Sequence, residues 1–471
     1  MRTGKSDPEW KRGTETSDAR SISPMFAQLD CVESVPRWAL AEDEMLPDTA
    51  YQLVHDETLL DGNARQNLAT FVSTWMEPQA DKLYAETYDK NMIDKDEYPQ
   101  TGAIEQRCVH ILAELWHSPE PRRTLGVSTV GSSEACMLAG LALKRAWQHR
   151  RSAEGKPTDR PNIVFASCVQ VAWEKFANYW DVEMRAAPIT RDKPYLVPET
   201  MLPCLDENTI GVVAVLGVTY TGQYEPVKEL AAALDAYEAE TGIDIPIHVD
   251  GASGAFVAPF LQPDLEWDFR VDRVHSINTS GHKFGLVYPG LGWIVWRTRE
   301  LLPADLIFDV SYLGGDVPTF ALNFSRPGAQ VLLQYYNFLR LGRSGYERVQ
   351  RASSEVARFM AKQIGKMAAF SVFTDGRDLP LITWELKGGR TDKWDLYDLA
   401  TKLRERGWLV PAYPMTADIE DVTLMRIVFR NGVSMDLMSL LLEDLESAAD
   451  YLDRLEAPLP REGRSGQSYH H

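Results

Sequence analysis

Three short stretches carry residues able to do chemistry together. The first is Ser276-Ile277-Asn278-Thr279-Ser280-Gly281-His282-Lys283-Phe284-Gly285, where an apolar run ends in small polar residues and a lysine follows a histidine. Burial beside a strand end lowers an amine's pKa, which makes Lys283 a candidate Schiff-base nucleophile. The second, Gly131-Ser132-Ser133-Glu134, opens an apolar helix. The N–H groups and dipole of a helix N-terminus favour an anion such as phosphate, and Ser132 and Ser133 stand where they could cap the helix and donate hydroxyl bonds. The third, His248-Val249-Asp250-Gly251-Ala252-Ser253-Gly254, closes a strand on a carboxylate followed by small residues. A buried carboxylate needs a partner, and a ring nitrogen that must stay protonated is a fitting one.

Taken singly, these are a solvated lysine, a serine N-cap and a turn-capping aspartate. Taken in chain order they are the set that pyridoxal phosphate requires: an anion site, a carboxylate for the pyridine nitrogen and a lysine for the Schiff base.

The elements that must position them alternate. Strands are expected at Asn162 to Ala166, Thr209 to Leu216, Ile245 to Val249, Val274 to Ile277 and Gly292 to Trp296. Helices are expected from Ala135 to about Arg150, Val171 to Trp180 and Leu230 to Ala239. Continuous apolar strands such as TIGVVAVL belong to sheets covered on both faces, so the pattern predicts an α/β domain with a mostly parallel sheet. Leu68, Phe71, Val72 and Trp75 recur at helical spacing and predict an amphipathic helix from Asn67; Ile104 to Trp116 predicts another. From about Ser354 the rhythm changes: helices at Val356 to Met367, Leu396 to Arg406 and Met435 to Leu455, strands at Leu381 to Leu386 and Met425 to Phe429. The expected organisation is an N-terminal arm (1–65), a large domain (66–353) and a smaller C-terminal α/β domain (354–471) ending in a mobile tail.

The chain has 471 residues and a net charge of -19, which argues against nucleic acid or an anionic membrane as partner. Five scattered cysteines without C-x-x-C spacing imply neither a disulfide framework nor a zinc site, and no metal is expected. A polar N-terminus and the lack of a long apolar run predict a cytoplasmic protein without a membrane span.

The ordered motifs LDGNARQNLATF (60–71), IDKDEYPQ (93–100), GSSEACMLAG (131–140), GVTYTG (217–222), HVDGASGAFVAPF (248–260), SGHKFGL (280–286) and NFSRPGAQV (323–331) resemble the pyridoxal-phosphate-dependent glutamate decarboxylases of the bacterial and plant type, from about Tyr51 to Leu455. The resemblance implies a fold type I large domain. It implies that Lys283 carries the cofactor, that Asp250 pairs with its ring nitrogen, and that His282, Ser132 and Ser133 contact its phosphate. Ala252 and Gln170 would flank the two ring faces, and Thr219 would lie near the ring hydroxyl. Phe324 and Ser325 are similar to residues that reach the phosphate from a neighbouring subunit, so a homodimer would be the minimum unit, with a homohexamer open. For the substrate L-glutamate, Thr70 and Phe71 match positions holding the distal carboxylate, Asp94 one contributed across the dimer, and Arg426 the α-carboxylate arginine.

Gly251, Glu174 and Val72 depart from the family pattern, where relatives have alanine, histidine and cysteine, and no Trp- and Lys-rich calmodulin-binding tail is seen. The implied reaction, glutamate to 4-aminobutyrate and carbon dioxide, consumes a proton and would suit acid resistance, with His470 or His471 gating the site. Two rivals stand beside it: a decarboxylase of another amino acid on the same fold, and a non-catalytic phosphate-binding module. The latter lacks both G-x-x-x-x-G-K-[ST] and G-x-G-x-x-G support.

Overall fold

The computed structural model describes residues 38–310, 317–388 and 393–458. The chain divides into two compact units, Met1–Asn63 and Ala64–His471. In the first, the described element is the helix Pro47–Thr58, entered by a proline in its first turn. The expected gating residues His470 and His471, and most of the expected arm, lie outside the described residues.

The second unit is built on a seven-stranded sheet. Its strands are β1 (Gly126–Thr129), β2 (Asn162–Ala166), β3 (Glu183–Ala187), β4 (Thr209–Val215), β5 (Ile247–Asp250), β6 (Val274–Thr279) and β7 (Gly292–Trp296), in the spatial order β1-β7-β6-β5-β4-β2-β3. Only β7 runs against its neighbours; the other strands are parallel. β2, β4, β5 and β7 are buried at every residue, because helices cover both faces and leave no position for a polar alternation. β3 was not legible for the opposite reason: as an edge strand it carries Glu183, Met184 and Arg185 outward and lacks an apolar run. The helix Ser132–Ala153 packs on β7, β6 and β4.

After a short hairpin of β8 (Phe308–Val310) and β9 (Val317–Thr319), the chain enters the helical stretch Ala329–Ile364, which breaks at Gly342 (φ 56°, ψ -172°). The expected boundary at 353/354 falls inside this stretch. A second, antiparallel sheet follows, of β10 (Phe370–Asp375), β11 (Leu381–Leu386), β12 (Ala412–Pro414) and β13 (Thr423–Val428), in the order β10-β11-β13-β12. With the helices Leu396–Arg404 and Met435–Asp453 it encloses its own apolar cluster, centred on Trp384, Trp394, Leu399, Ile427 and Leu441.

The expected helix from Asn67 does not form. Residues 67–77 run as an extended thread, and the next helix is Pro78–Thr87. The thread finds its backbone partners elsewhere: Leu68 N–H donates to Leu409 O, Val428 N–H to Leu68 O and Ser73 N–H to His282 O. Its apolar residues point in two directions rather than along one helical stripe. Leu68 enters the small-sheet cluster and Phe71 the large one, while Trp75 is half exposed. The periodicity was real, but tertiary pairing outweighed it.

Candidate active site

The cofactor-side residues follow the C-terminal ends of parallel strands, where open α/β sheets bind ligands. Ser132 and Ser133 follow β1, Gln170 follows β2, Thr219 follows β4, Asp250 ends β5 and Ala252 follows it, and His282 and Lys283 follow β6.

Gly131 precedes the helix Ser132–Ala153 with φ 81°, a left-handed conformation that suits glycine. A Cβ there would come within 3.0 Å of the His282 ring. The serines therefore do not cap the helix, as expected from sequence; they sit in its first turn, because Gly131 occupies the capping position. Ser132 Oγ lies 2.7 Å from Ser280 Oγ, and Ser133 is exposed. Glu134 turns back: it accepts from Val130 N, Leu322 N and Asn323 N, and so ties the NFSRP segment to this helix start. His282 Nδ1 accepts from Leu291 N–H at 3.1 Å, which leaves the proton of the neutral ring on Nε2. Burial, aided by Lys283, pushes the His282 pKa down to about 4.

Lys283 sits in a clamped turn. Ser73 donates its N–H to His282 O and its hydroxyl to Lys283 O; Gln350 donates to Phe284 O; Tyr346 and Gln334 donate to Gly285 O; Asn337 donates to Leu286 O. Five consecutive carbonyls are thus held from outside the turn, which accounts for Leu286 tolerating φ 67°. Desolvation lowers the Lys283 pKa and Arg426 adds to this, against Asp250 and Cys136, which raise it. Its Nζ lies 5.4 Å from the centroid of the Phe71 ring.

Asp250 is buried, with donors on both oxygens. Ala252 N–H and Asn278 Nδ2 donate to Oδ1, each at 3.1 Å; Trp173 Nε1 donates to Oδ2 at 2.9 Å. Gln170 caps the helix Val171–Tyr179, its Oε1 accepting from Ala172 N–H at 2.6 Å.

Arg426 stands on β13, with its guanidinium carbon 4.9 Å from the Phe71 centroid and 5.4 Å from that of Tyr413. It donates to Thr219 O and to Ala69 O, while its buried Nε has no acceptor among the described residues. Thr70 Oγ1 accepts from Val72 N–H. Phe71 therefore lies against both the candidate nucleophile and the candidate carboxylate binder.

Asp94 and Ser325 form a separate group. Asn91 bridges them: it donates to Ser325 Oγ at 3.3 Å, accepts from Arg326 N–H, and its carbonyl accepts from Asp94 N–H. Phe324 and Ser325 are exposed. Beneath them Arg326 is buried against Ser128 and Glu105, with Lys95 on the far carboxylate oxygen at 3.9 Å.

Sequence reasoning missed Trp173, Asn278, Ser73, Tyr413 and the donors on the helical stretch Ala329–Ile364. One signal was available: His248, Asp250, Ser276 and Asn278 are polar residues spaced two apart within apolar strands.

Residues 41–387 match the family model for the pyridoxal-dependent decarboxylase conserved domain. A glutamate decarboxylase of Aliivibrio fischeri is 52% identical over 431 residues, covering 91% of this chain and 93% of that protein. The solved glutamate decarboxylase of Lactobacillus brevis is 46% identical with a TM-score of 0.89, covering 92% of this chain and 99% of that one. A sphingosine-1-phosphate lyase of Burkholderia pseudomallei, 20% identical with a TM-score of 0.73 over 88% of this chain and 93% of its own, shares the fold. The chain belongs to the family of pyridoxal-dependent decarboxylases.

Proposed function

We propose that the chain converts L-glutamate to 4-aminobutyrate and carbon dioxide with pyridoxal phosphate. The observation that carries the reading is Phe71, which faces Lys283 on one hand and Arg426 on the other, in a chain 46% and 52% identical to glutamate decarboxylases.

The residues fit the cofactor. Gly131 leaves beside His282 a space that a Cβ would fill, at a helix N-terminus suited to phosphate. Asp250 offers a positioned carboxylate, and Lys283 an amine with a lowered pKa. Lys283 would hold the group through Nζ, Asp250 would keep a proton at its ring nitrogen, and Ser132, Ser133 and His282 would hold the phosphate. Ala252 and Gln170 would confine the ring between them, with Thr219 beside it. When bound, pyridoxal phosphate supplies a sink for the electron pair released as the Cα–carboxylate bond breaks.

Arg426 would bind the α-carboxylate and orient it, which is catalysis by positioning. Nη1 donates one N–H to Thr219 O and Nη2 one to Ala69 O, which holds the guanidinium in place and leaves a second N–H on each for a carboxylate. Phe71 closes the space between Arg426 and Lys283, and Thr70 grips the distal carboxylate. Asp94 would do the same from a neighbouring subunit. The half-buried Asp94 and the exposed Ser325 are joined through Asn91, so one neighbouring subunit would present both, which supports a homodimer as the minimum unit. Among the described residues no helix is long and apolar enough to cross a membrane, which fits the cytoplasm. Proton uptake on turnover fits acid resistance.

The test is direct. Holoenzyme incubated with L-glutamate should yield 4-aminobutyrate and carbon dioxide in equal amounts, and L-aspartate, L-histidine and aromatic amino acids should yield far less. Release of carbon dioxide from one of those and none from glutamate would overturn the proposal.

A further inference from the structure

Two neighbouring central strands carry an unusual block of polar residues. On β5 and β6, His248 stands opposite Ser276 and Asp250 opposite Asn278. Residues two apart on a strand share a face, so all four side chains lie together. His248 and Asn278 are 0% exposed, Ser276 1% and Asp250 4%, so the whole block is withdrawn from water. Trp173, also 0% exposed, covers the block from the helix Val171–Tyr179, its ring 5.2 Å from that of His248.

The contacts form a directed chain. Ser276 Oγ lies 2.8 Å from His248 Nδ1, His248 Nε2 2.7 Å from Asn278 Oδ1, and Asn278 Nδ2 3.1 Å from Asp250 Oδ1. Asp250 as an anion accepts only, so Asn278 must present its NH2 to it and its oxygen to His248. His248 must then carry its proton on Nε2 and accept from the Ser276 hydroxyl at Nδ1. Burial, which pushes the His248 pKa down to about 4, keeps that ring neutral, as this ordering requires. The reverse ordering would set the Asn278 oxygen against the Asp250 carboxylate. On the other carboxylate oxygen, Trp173 Nε1 donates at 2.9 Å and Cys136 Sγ at 3.6 Å. The thiol stays protonated, because burial and Asp250 push its pKa well up.

We propose that Trp173, and the chain Ser276–His248–Asn278, are positioning residues that hold Asp250 anionic and aimed at the cofactor's ring nitrogen. None of them needs to touch the cofactor. Their effect passes through Asp250: with each donor lost, the carboxylate gains freedom to rotate and loses stabilisation of its charge. The inference rests on the proposed role of Asp250.

The test uses holoenzyme loaded with pyridoxal phosphate isotopically labelled at the ring nitrogen, and reads the nitrogen NMR shift, which separates protonated from unprotonated ring. It also reads the affinity of the apo-protein for the cofactor. Trp173→Phe keeps the packing and removes the N–H. It should weaken cofactor affinity about tenfold and move the nitrogen signal toward the unprotonated position. Ser276→Ala, a small change at the far end, should act in the same direction by about threefold. If Trp173→Phe does not fold, Ser276→Ala decides. Folded variants with unchanged nitrogen signal and affinity would overturn the inference, while Asp250→Asn still abolishing the protonated signal would leave the role of Asp250 standing. An Asp250→Asn protein that keeps the protonated signal would overturn that role, and the inference with it.

Discussion

The two walls of the proposed site, one for the cofactor and one for the substrate, are built differently. The cofactor wall is made of strand ends. Asp250 ends a central strand and is fixed by Ala252, Asn278 and Trp173, while Lys283 stands in a turn with five outside donors on its carbonyls. The substrate wall is assembled from distant pieces: Arg426 from the second sheet, Phe71 and Thr70 from an extended thread, and Tyr413 from β12. On the cofactor wall both Asp250 oxygens and the carbonyls of the Lys283 turn have donors within the protein. On the substrate wall a buried guanidinium nitrogen, Arg426 Nε, is left without a protein acceptor. Groups with their partners in place hold one geometry, while Arg426 keeps terminal N–H groups beyond its two backbone bonds.

This contrast can be broken or sharpened by substitution. Lys283→Ala removes the nucleophile, and formation of 4-aminobutyrate should fall at least roughly a thousandfold, with loss of the cofactor's visible absorbance. Asp250→Asn keeps the shape and removes the charge, so kcat should drop by about 10²–10³ while KM changes little. An equal effect on KM alone would place Asp250 on the substrate wall instead.

The buried His248 gives the cofactor wall a pH signature. Its pKa is about 4 in the fold against an ordinary value of 6.5, so between these values the unfolded chain binds a proton that the folded chain refuses. Stability from this group is therefore complete above about pH 6.5 and is lost as pH falls toward 4, by an order of about 3 kcal/mol. Urea denaturation of wild type against His248→Gln across that range should show a smaller loss in the variant; parallel curves would show that His248 does not carry it.

On the substrate wall, Arg426→Lys keeps the charge but loses the planar fork and its stacking on Phe71 and Tyr413, and should lower kcat/KM for glutamate by about 2 kcal/mol, some thirtyfold. Cofactor affinity should not change, and a weakened one would merge the two walls. Ser73→Ala is the mildest case. The thread donates from Ser73 to the Lys283 turn, so the substitution should cost about 1 kcal/mol in thermal unfolding and a few-fold in kcat, because it loosens the join between the walls.

The same contrast separates what was legible from what was not. β2 and β7 coincide with their expected spans, and β4, β5 and β6 differ by one or two residues, because continuous apolar runs mark buried parallel strands. Asp250 and Lys283 stand at the ends of β5 and β6, so reading those strands located them, whereas Gln170, Thr219 and Ala252 came from the family resemblance and Ser132 and Ser133 from the helix start at Gly131. β1, four residues long, and the polar edge strand β3 gave no such signal. The thread at 67–77 misled, since its spacing was helical while its hydrogen bonds lay hundreds of residues away at Leu409, Val428 and His282.

The sequence by itself determined the family, the mostly parallel sheet and the chain order of Ser132 and Ser133, Asp250 and Lys283, because each depends on local pattern. Tertiary structure alone decided three things. It gave the helix start to Gly131 rather than a serine, brought Lys283 and Arg426 to the same Phe71 ring, and turned Ser276, His248 and Asn278 into a chain ending on Asp250. Each of these needs two or more strands or lobes brought side by side, and a one-dimensional pattern carries no information about which residues will stand opposite one another until the register of the sheet is set.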